Sequence, residues 1–385
     1  MVLYVLKDSP AAGAGIKRGD IIMKVDNIKL NSNNYNDLLF NRLSCTYQMG
    51  EATLYGVYEN GIEYSVTGKI MQENPVFLDS IYNIEGYKVG YIVYNGFTFA
   101  YDEKLGTSYD LLLNDLFTKF KNAGVDKLIL DLRYNLGGSA QSASYLASMI
   151  YSNDSTKLFS KTQYNDFVQS QLIKLYGEES LNNYLNYYID TVTWKIHDEN
   201  GIYLRSVKTP KMPITSLNIS DLYILISGNS VSASELLING LKPFDINLKC
   251  VGTTTRGKFV GSTTFKDWID YDNDIVNPNH TLGMQLIIAK FVNSAGEADY
   301  IGGIPPDIEV QENLLNFLPF GDTDEPLLSA ALDDIRGVMA VKSAKAPLKS
   351  VKFPGIVKDW PYPDGLMYMD QKPTQTFRKF SFKTD

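Results

Sequence analysis

The chain has 385 residues, 44% of them hydrophobic and 21% charged, with 36 Lys and Arg against 44 Asp and Glu for a formal net charge of −8. That composition excludes a disordered or low-complexity chain and is long enough for two to three domains of roughly 150 residues each. The acidic balance argues against a nucleic-acid partner. The two cysteines (Cys45, Cys250) are too few for a disulfide framework and read as small buried hydrophobes, and two histidines (His197, His280) are too few for a histidine-rich metal site.

Taken from the start, Met1 runs straight into the strand-like Val2-Leu3-Tyr4-Val5-Leu6, so no signal peptide is expected in this chain. The turn Ser9-Pro10-Ala11-Ala12 leads into an apolar run from Ile21 to Val25, and Asn33 is placed to cap a short helix through Leu38 and Leu39. Two strands are expected over 53–58 and 62–70, joined at Asn60-Gly61, a strong two-residue hairpin signal. Residues 1–72 thus form a small β-rich module, followed by a connecting stretch over 73–88.

From residue 89 strand and helix alternate. Strands are expected over 89–94, 126–132, 222–227 and 248–252, and helices over 109–122, 139–151 and 232–241, with Leu112, Leu116, Phe117 and Phe120 on one stripe of the first helix. The expected architecture is an α/β domain of crossover units spanning 89–340. Residues 152–220, rich in Tyr and Asn, read as an insertion that covers one face of the sheet, with a helix expected over 172–188; a substrate-contacting lid is the sharper alternative. A helix over 325–336 follows, and the proline-rich 341–385 reads as a C-terminal extension. No run reaches the 18 or so consecutive apolar residues of a membrane span.

Three segments carry candidate chemistry. In Ser230-Val231-Ser232-Ala233-Ser234-Glu235 an apolar strand gives way to a helix, so a serine there sits beside helix N-terminal amides that favour developing negative charge. Ser232 followed by Glu235 three residues on also fits a purely structural capping box. Asp131-Leu132-Arg133-Tyr134-Asn135-Leu136-Gly137-Gly138 likewise opens a helix after a strand. Its glycines let an amide approach a ligand and supply a second oxyanion donor opposite Ala233, or simply make a tight turn. Both histidines lie in polar, loop-like surroundings, so a base for the serine points instead to a lysine stripped of its charge by burial. Lys258, after Gly257 and the strand 248–252, fits; a surface loop lysine is its plainer alternative.

The segments "LILDLRYNLGG", "SVSASELL" and "VGTTTRGK" resemble the S41 family of C-terminal processing (tail-specific) proteases, and "SPAAGAGIKRGDIIMKVDNIKL" resembles the PDZ domain that precedes their core. The Gly303-Ile304-Pro305-Pro306-Asp307-Ile308 run resembles the end of that core. The resemblance implies a crotonase/ClpP-like spiral of βα units and a Ser-Lys dyad that cleaves polypeptides near their C-termini without a cofactor. It implies Ser232 as nucleophile, Lys258 as general base, and the amides of Ala233 and of Gly137 or Gly138 as the oxyanion hole. It also implies an extracytoplasmic location. Many members carry a Gln four residues after the lysine to orient it; here that position is Ser262. The PDZ-like module is expected to be N-terminally incomplete, lacking the family's first strand and carboxylate-binding loop. The rival expectations are a catalytically silent PDZ-containing peptide-binding protein of the same fold, and a crotonase-type acyl-CoA enzyme, which has no need of a serine-lysine pair.

Overall fold

The computed structural model describes residues 1–40, 42–53, 56–197, 203–270, 275–280, 282–298, 300–312 and 317–338, with only the backbone described at His197. The chain divides into two compact units, Met1–Leu78 with the stretch that starts at Val310, and Asp79–Glu309.

In the first unit, α1 (Pro10–Ala14) begins where Ser9 accepts the Ala12 N–H and Pro10 supplies a preset first turn, and it ends at Gly15, whose φ of 97° is left-handed. Strands β1 (Ile21–Val25) and β2 (Ile28–Lys29), helix α2 (Tyr35–Phe40), and strands β3 (Ser44–Thr53) and β4 (Gly56–Thr67) follow. They make a four-stranded sheet in the order β2-β1-β3-β4, over a small core of Val25, Leu38 and Cys45. The expected hairpin at Asn60-Gly61 is displaced. β3 and β4 pair as far as Thr53↔Gly56, so the two strands are joined ahead of Asn60-Gly61, which lies inside β4. Asn60-Gly61 instead falls where the register shifts, Gln48 opposite Glu63 and Gly50 opposite Glu59, and Gly61 takes the positive φ of 76° that such a bulge uses.

The expected connecting stretch is also partly strand. β5 (Val76–Ile84) and β6 (Tyr87–Tyr94) flank the turn at Glu85-Gly86, and β6 is buried from Val89 onward. Helix α3 (Tyr109–Ala123) buries Leu113, Leu116, Phe117 and Phe120 and ends at a left-handed Gly124. Strand β7 (Lys127–Asp131) is buried from Leu128 onward, with apolar Leu128, Ile129 and Leu130 at its centre, as a strand with both faces covered must be. Helix α4 (Ala140–Ile150) starts at Ser139, which accepts the Ser142 N–H.

In the insertion, β8 (Leu158–Tyr164) leads to α5 (Asp166–Tyr176), which stops at Gly177 (φ 79°). A 3₁₀ turn and β9 (Asn182–Tyr184) take the place of the rest of the helix expected through 188. A glycine outside helical space and paired asparagines, poor helix formers, account for the early stop. Strand β10 (Asp221–Ile226), helix α6 (Ala233–Leu241) and strand β11 (Asn247–Gly252) complete the crossovers, with α6 buried all round. Strands β12 (Val260–Lys266), β13 (Gly283–Asn293) and β14 (Ile308–Glu309) end the second unit.

The central sheet runs β14-β11-β10-β7-β6-β5, with β6, β7, β10, β11 and β14 parallel. A second, antiparallel sheet runs β9-β8-β13-β12. In the parallel sheet Leu225 pairs with both Asp131 and Val251, so β7, β10 and β11 end level with one another. The loops after them, which carry Gly137-Gly138, Ser232 and Lys258, therefore leave from one edge.

The sequence groups residues 310–340 with the α/β core, but from Val310 the chain returns to the first unit. Arg18 accounts for the return. Its guanidinium pairs with Glu312 at 2.6 Å, donates to the Leu318 carbonyl, and lies 3.8 Å and 4.2 Å from the ring centres of Phe317 and Phe320. Helix α7 (Pro326–Ile335) closes the described chain, capped by Glu325, which accepts the Leu328 N–H. Residues 341–385, expected to be an irregular extension, lie outside the described residues.

Both cysteines are free and buried, and burial pushes the Cys250 thiol up to about 12. Among the described residues no helix is long and apolar enough to cross a membrane, and no group of three His, Cys, Asp or Glu side chains is placed to hold a metal ion. The scaffold rests on the doubly covered strands. Leu130→Ala, at a fully buried site on β7, is expected to lower unfolding free energy by about 2–5 kcal/mol in urea titrations.

Candidate active site

The segment after β10 contains three serines, and their hydrogen bonds separate them. Ser230 is fully buried, donates from Oγ to the Leu132 carbonyl at 2.8 Å and accepts the Ser227 N–H. Ser234 is also fully buried and donates to the Asn135 carbonyl at 2.9 Å. Both bind the loop after β10 to the loop after β7. Only Ser232 turns its side chain toward a cavity, and its backbone is held at φ 59°, ψ −109°. A non-glycine residue in that region stores strain of about 1–3 kcal/mol, and such strain persists only where neighbours enforce it.

The neighbour that enforces it is Glu235. Its fully buried carboxylate accepts the Ser232 N–H at 2.9 Å. It also accepts Thr255 Oγ1 at 2.6 Å, the Gly257 N–H at 2.5 Å and the Lys258 N–H at 2.8 Å. Thr255 Oγ1 in turn accepts the Ile304 N–H at 2.7 Å, which fastens the same group to the Gly303-Ile304 turn. One carboxylate thus fixes the backbone of the candidate nucleophile and of the candidate base. The capping-box pattern pointed to Glu235 but assigned it only the local bond to Ser232; nothing in a three-residue spacing reports donors 20 or more positions away.

The loop after β7 closes on the other side. Asp131 and Arg133, each 1% exposed, form a buried pair with Nη2 to Oδ2 at 2.8 Å, and Tyr91 Oη donates to the same carboxylate. Asn135 donates from Nδ2 to the Tyr94 carbonyl and accepts the Gly137 N–H on Oδ1 at 2.8 Å. Its carbonyl takes the Val231 N–H as well as the Ser234 hydroxyl. This asparagine passed unnoticed in the sequence, where an Asn two residues before a glycine was the available sign of an Asx turn. Gly137 (φ 94°) packs so closely on the serine loop that a Cβ would lie 2.6 Å from the Val231 carbonyl oxygen and 2.8 Å from the Ala233 nitrogen. Gly138 (φ 134°) leaves no room either, since a Cβ there would meet the Phe97 carbonyl oxygen at 2.0 Å.

These loops enclose a cavity of about 170 Å³. Ser232, Ala233, Gly138, Lys258 and Ser262 all line it. Gly137 does not, and its N–H is already given to Asn135, whereas the Gly138 N–H has no partner among the described residues. The Ala233 N–H is the first of α6 and has no intrahelical partner. Ala140, Leu236, Val260 and Phe291 supply apolar walls, and Tyr300 closes the cavity with a hydroxyl whose pKa is raised, first by burial and then by Glu235. Burial also lowers the Lys258 pKa from the ordinary lysine value, against an opposing pull from the Glu235 charge. Ser262 Oγ accepts from Gln285 Nε2 at 3.1 Å, across from β13. His280 pairs with Asp267 on an exposed loop and takes no part in the cavity, while the His197 side chain lies outside the described residues.

Comparison with known proteins places the chain in a family. Residues 88–310, more than half of the chain, match the family model of Peptidase family S41. A "Probable CtpA-like serine protease" of Staphylococcus aureus is 27% identical over 269 residues, which is 69% of this chain and 44% of that protein. The chain thus spans less than half the length of the curated relatives it matches. The crystal structure of a "Putative S41 protease" from Bacteroides fragilis superimposes with a TM-score of 0.65 and 27% identity, covering 87% of this chain and 77% of that one.

Removing the shared anchor should be felt as stability before any chemistry is assayed. Glu235→Gln keeps the shape but cannot accept four donors on two carboxylate oxygens, and is expected to cost at least about 1–3 kcal/mol in denaturant unfolding. An unchanged midpoint would show that the carboxylate is not the anchor.

Proposed function

Because the chain belongs to peptidase family S41, we propose that it is a serine endopeptidase acting on polypeptides, near their C-termini, through Ser232 and Lys258. The observation that carries this reading is that Ser232, a lysine whose pKa burial lowers, and two amide donors share one cavity. Lys258, neutral when desolvated, takes the proton of the Ser232 hydroxyl as Oγ attacks the scissile carbonyl. The negative oxygen of the tetrahedral intermediate is held by the N–H groups of Ala233 and Gly138, preorganised by α6 and by the closely packed glycine turn. Protonated Lys258 gives its proton to the leaving amine, and the resulting acyl-enzyme is hydrolysed by a water that Lys258 activates in turn. The apolar walls at Ala140, Leu236, Val260 and Phe291 suit a small apolar side chain on the acyl side of the cut.

Ser262 acts as the orienting group in this scheme. With one lone pair occupied by Gln285, its Oγ keeps the other to accept an N–H of Lys258, which leaves the amine's own lone pair turned to the Ser232 hydroxyl. Residues 1–72 serve as a PDZ-like recruiting module, residues 73–88 join it to the catalytic core, and the insertion at about 152–220 covers the core. On the same family resemblance the protein works outside the cytoplasm.

The test is cleavage of a reduced, unfolded polypeptide by wild type, Ser232→Ala and Lys258→Ala. Each variant is expected to lose on the order of 10⁴-fold or more in kcat/KM. Wild type that cleaves no better than either variant would leave the silent peptide-binding protein as the surviving account. The pH dependence has a definite sign. Neutral Lys258 is the active form, so kcat/KM rises with pH through an ionisation below the ordinary lysine value of about 10.4 and is lost as pH falls through it. Ser262→Ala removes an acceptor that favours the protonated amine and is expected to lower kcat/KM while moving that acid limb to lower pH; a merely structural role would lower the rate without moving the limb.

A further inference from the structure

The insertion carries a second and larger cleft, of about 400 Å³, which shares no lining residue with the Ser232 cavity. It lies between the start of α4, where Gln141 and Ser144 face it, and the segment from β9 to Asp190. Its chemistry differs from that of the first cavity. Four carboxamides line it, those of Gln141, Asn182, Asn183 and Asn186, together with the tyrosines at 184, 187 and 188. Its two charged side chains neutralise one another, Lys211 pairing with Asp190 at 3.2 Å while its ammonium lies 4.9 Å from the centre of the Tyr188 ring.

The polar groups are fixed in advance. Asn186 Nδ2 donates to Ser144 Oγ at 2.6 Å and to the Tyr184 carbonyl at 3.1 Å, and its Oδ1 accepts from Gln141 Nε2 at 3.3 Å. Asn182 Nδ2 is held by Glu179 and by the Tyr184 hydroxyl. By contrast the Tyr187 and Tyr188 rings, 5.0 Å apart at 51°, are 52% and 41% exposed. Two large tyrosine rings that stay about half exposed beside a rigid row of amides, one of them beneath the Lys211 ammonium, are a feature that packing of the insertion does not require.

The class of ligand follows by elimination. A phosphate or carboxylate ligand needs uncompensated positive charge, and the one lysine present is already paired. An apolar side chain or acyl tail needs an apolar floor, and Leu185 is the only aliphatic lining residue. Sugar hydroxyls both donate and accept, as carboxamides and phenols do, and the C–H face of a pyranose ring packs on an exposed tyrosine. We infer that this cleft is a binding site for a neutral oligosaccharide, with Tyr187 and Tyr188 as the stacking platform and Asn186, Gln141 and Asp190 as the hydroxyl-reading groups. The inference is independent of the proposed hydrolysis, although helix α4 contributes Ala140 to the Ser232 cavity and Gln141 and Ser144 to this one.

The full chain is titrated calorimetrically with maltotriose, cellotriose, mannotriose and tri-N-acetylchitotriose, in wild type and in Tyr187→Ala/Tyr188→Ala. At least one trisaccharide is expected to bind in the micromolar to millimolar range, and the double variant to weaken it by roughly tenfold or more with an unchanged melting temperature. Asp190→Asn, which leaves the rings in place, is expected to weaken the same sugar by a smaller factor. Absence of binding by all four at about 10 mM, or binding that the tyrosine variant leaves unchanged, overturns the assignment. So does an unfolded polypeptide that binds with the tyrosine dependence while no sugar does, since it would make the cleft a peptide site.

Discussion

The carboxylate of Glu235 is buried where no water can solvate it, and it is kept there by four donors from two separate stretches of chain. Those four bonds hold the strained backbone of Ser232 in place. Remove the carboxylate, and the left-handed backbone of Ser232 loses the partner of its own N–H while the Lys258 loop loses the partner of three donors. Ser232 and Lys258 are 26 residues apart in sequence yet are referred to one side chain, so neither can drift without the other. Glu235 also sits in the first turn of α6, where the helix dipole favours a negative charge.

That anchor works because of where the sheet delivers the chain. Parallel strands β7, β10 and β11 end level, and each passes into a loop at the same edge. Asn135 and the buried serines 230 and 234 stitch the first two loops together, and Glu235 with Thr255 stitches the second to the third. The result is a cavity whose polar atoms are positioned by bonds made behind it. Its walls are otherwise apolar, which is what strips a lysine of solvent and lowers its pKa.

Much of this was legible in the sequence, and the gaps have physical causes. The strands and helices of the α/β core stand within a residue or two of where periodicity puts them, because each is a buried segment with a strong local pattern: β7 has an apolar centre at Leu128–Leu130, and α3 buries Leu116, Phe117 and Phe120 and ends at Gly124. The hairpin signal at Asn60-Gly61 misled because an Asn-Gly pair suits a bulge as well as a turn, and the pairing that decides between them is made with residues on β3. The helix expected through residue 188 ignored Gly177. At the candidate site, Ser232, Ala233 and Lys258 were reachable from motif and spacing, and Ser262 only through the family resemblance. The choice between Gly137 and Gly138 was not, because it turns on a single side-chain bond from Asn135. The wider reach of Glu235 was hidden for the same reason: three of its four donors come from a loop some twenty residues away.

The central claim is that Lys258 is held desolvated beside Ser232 so that it is neutral when it acts. A direct measurement is the pH titration of the Lys258 side chain by NMR in protein labelled at lysine, with the resonance assigned by its loss in Lys258→Arg. The account predicts a Lys258 midpoint clearly below that of the remaining lysines, moving lower still in Glu235→Gln, where the opposing carboxylate charge is gone and the fold is verified separately. A Lys258 that titrates together with the surface lysines near about 10.4 would contradict it.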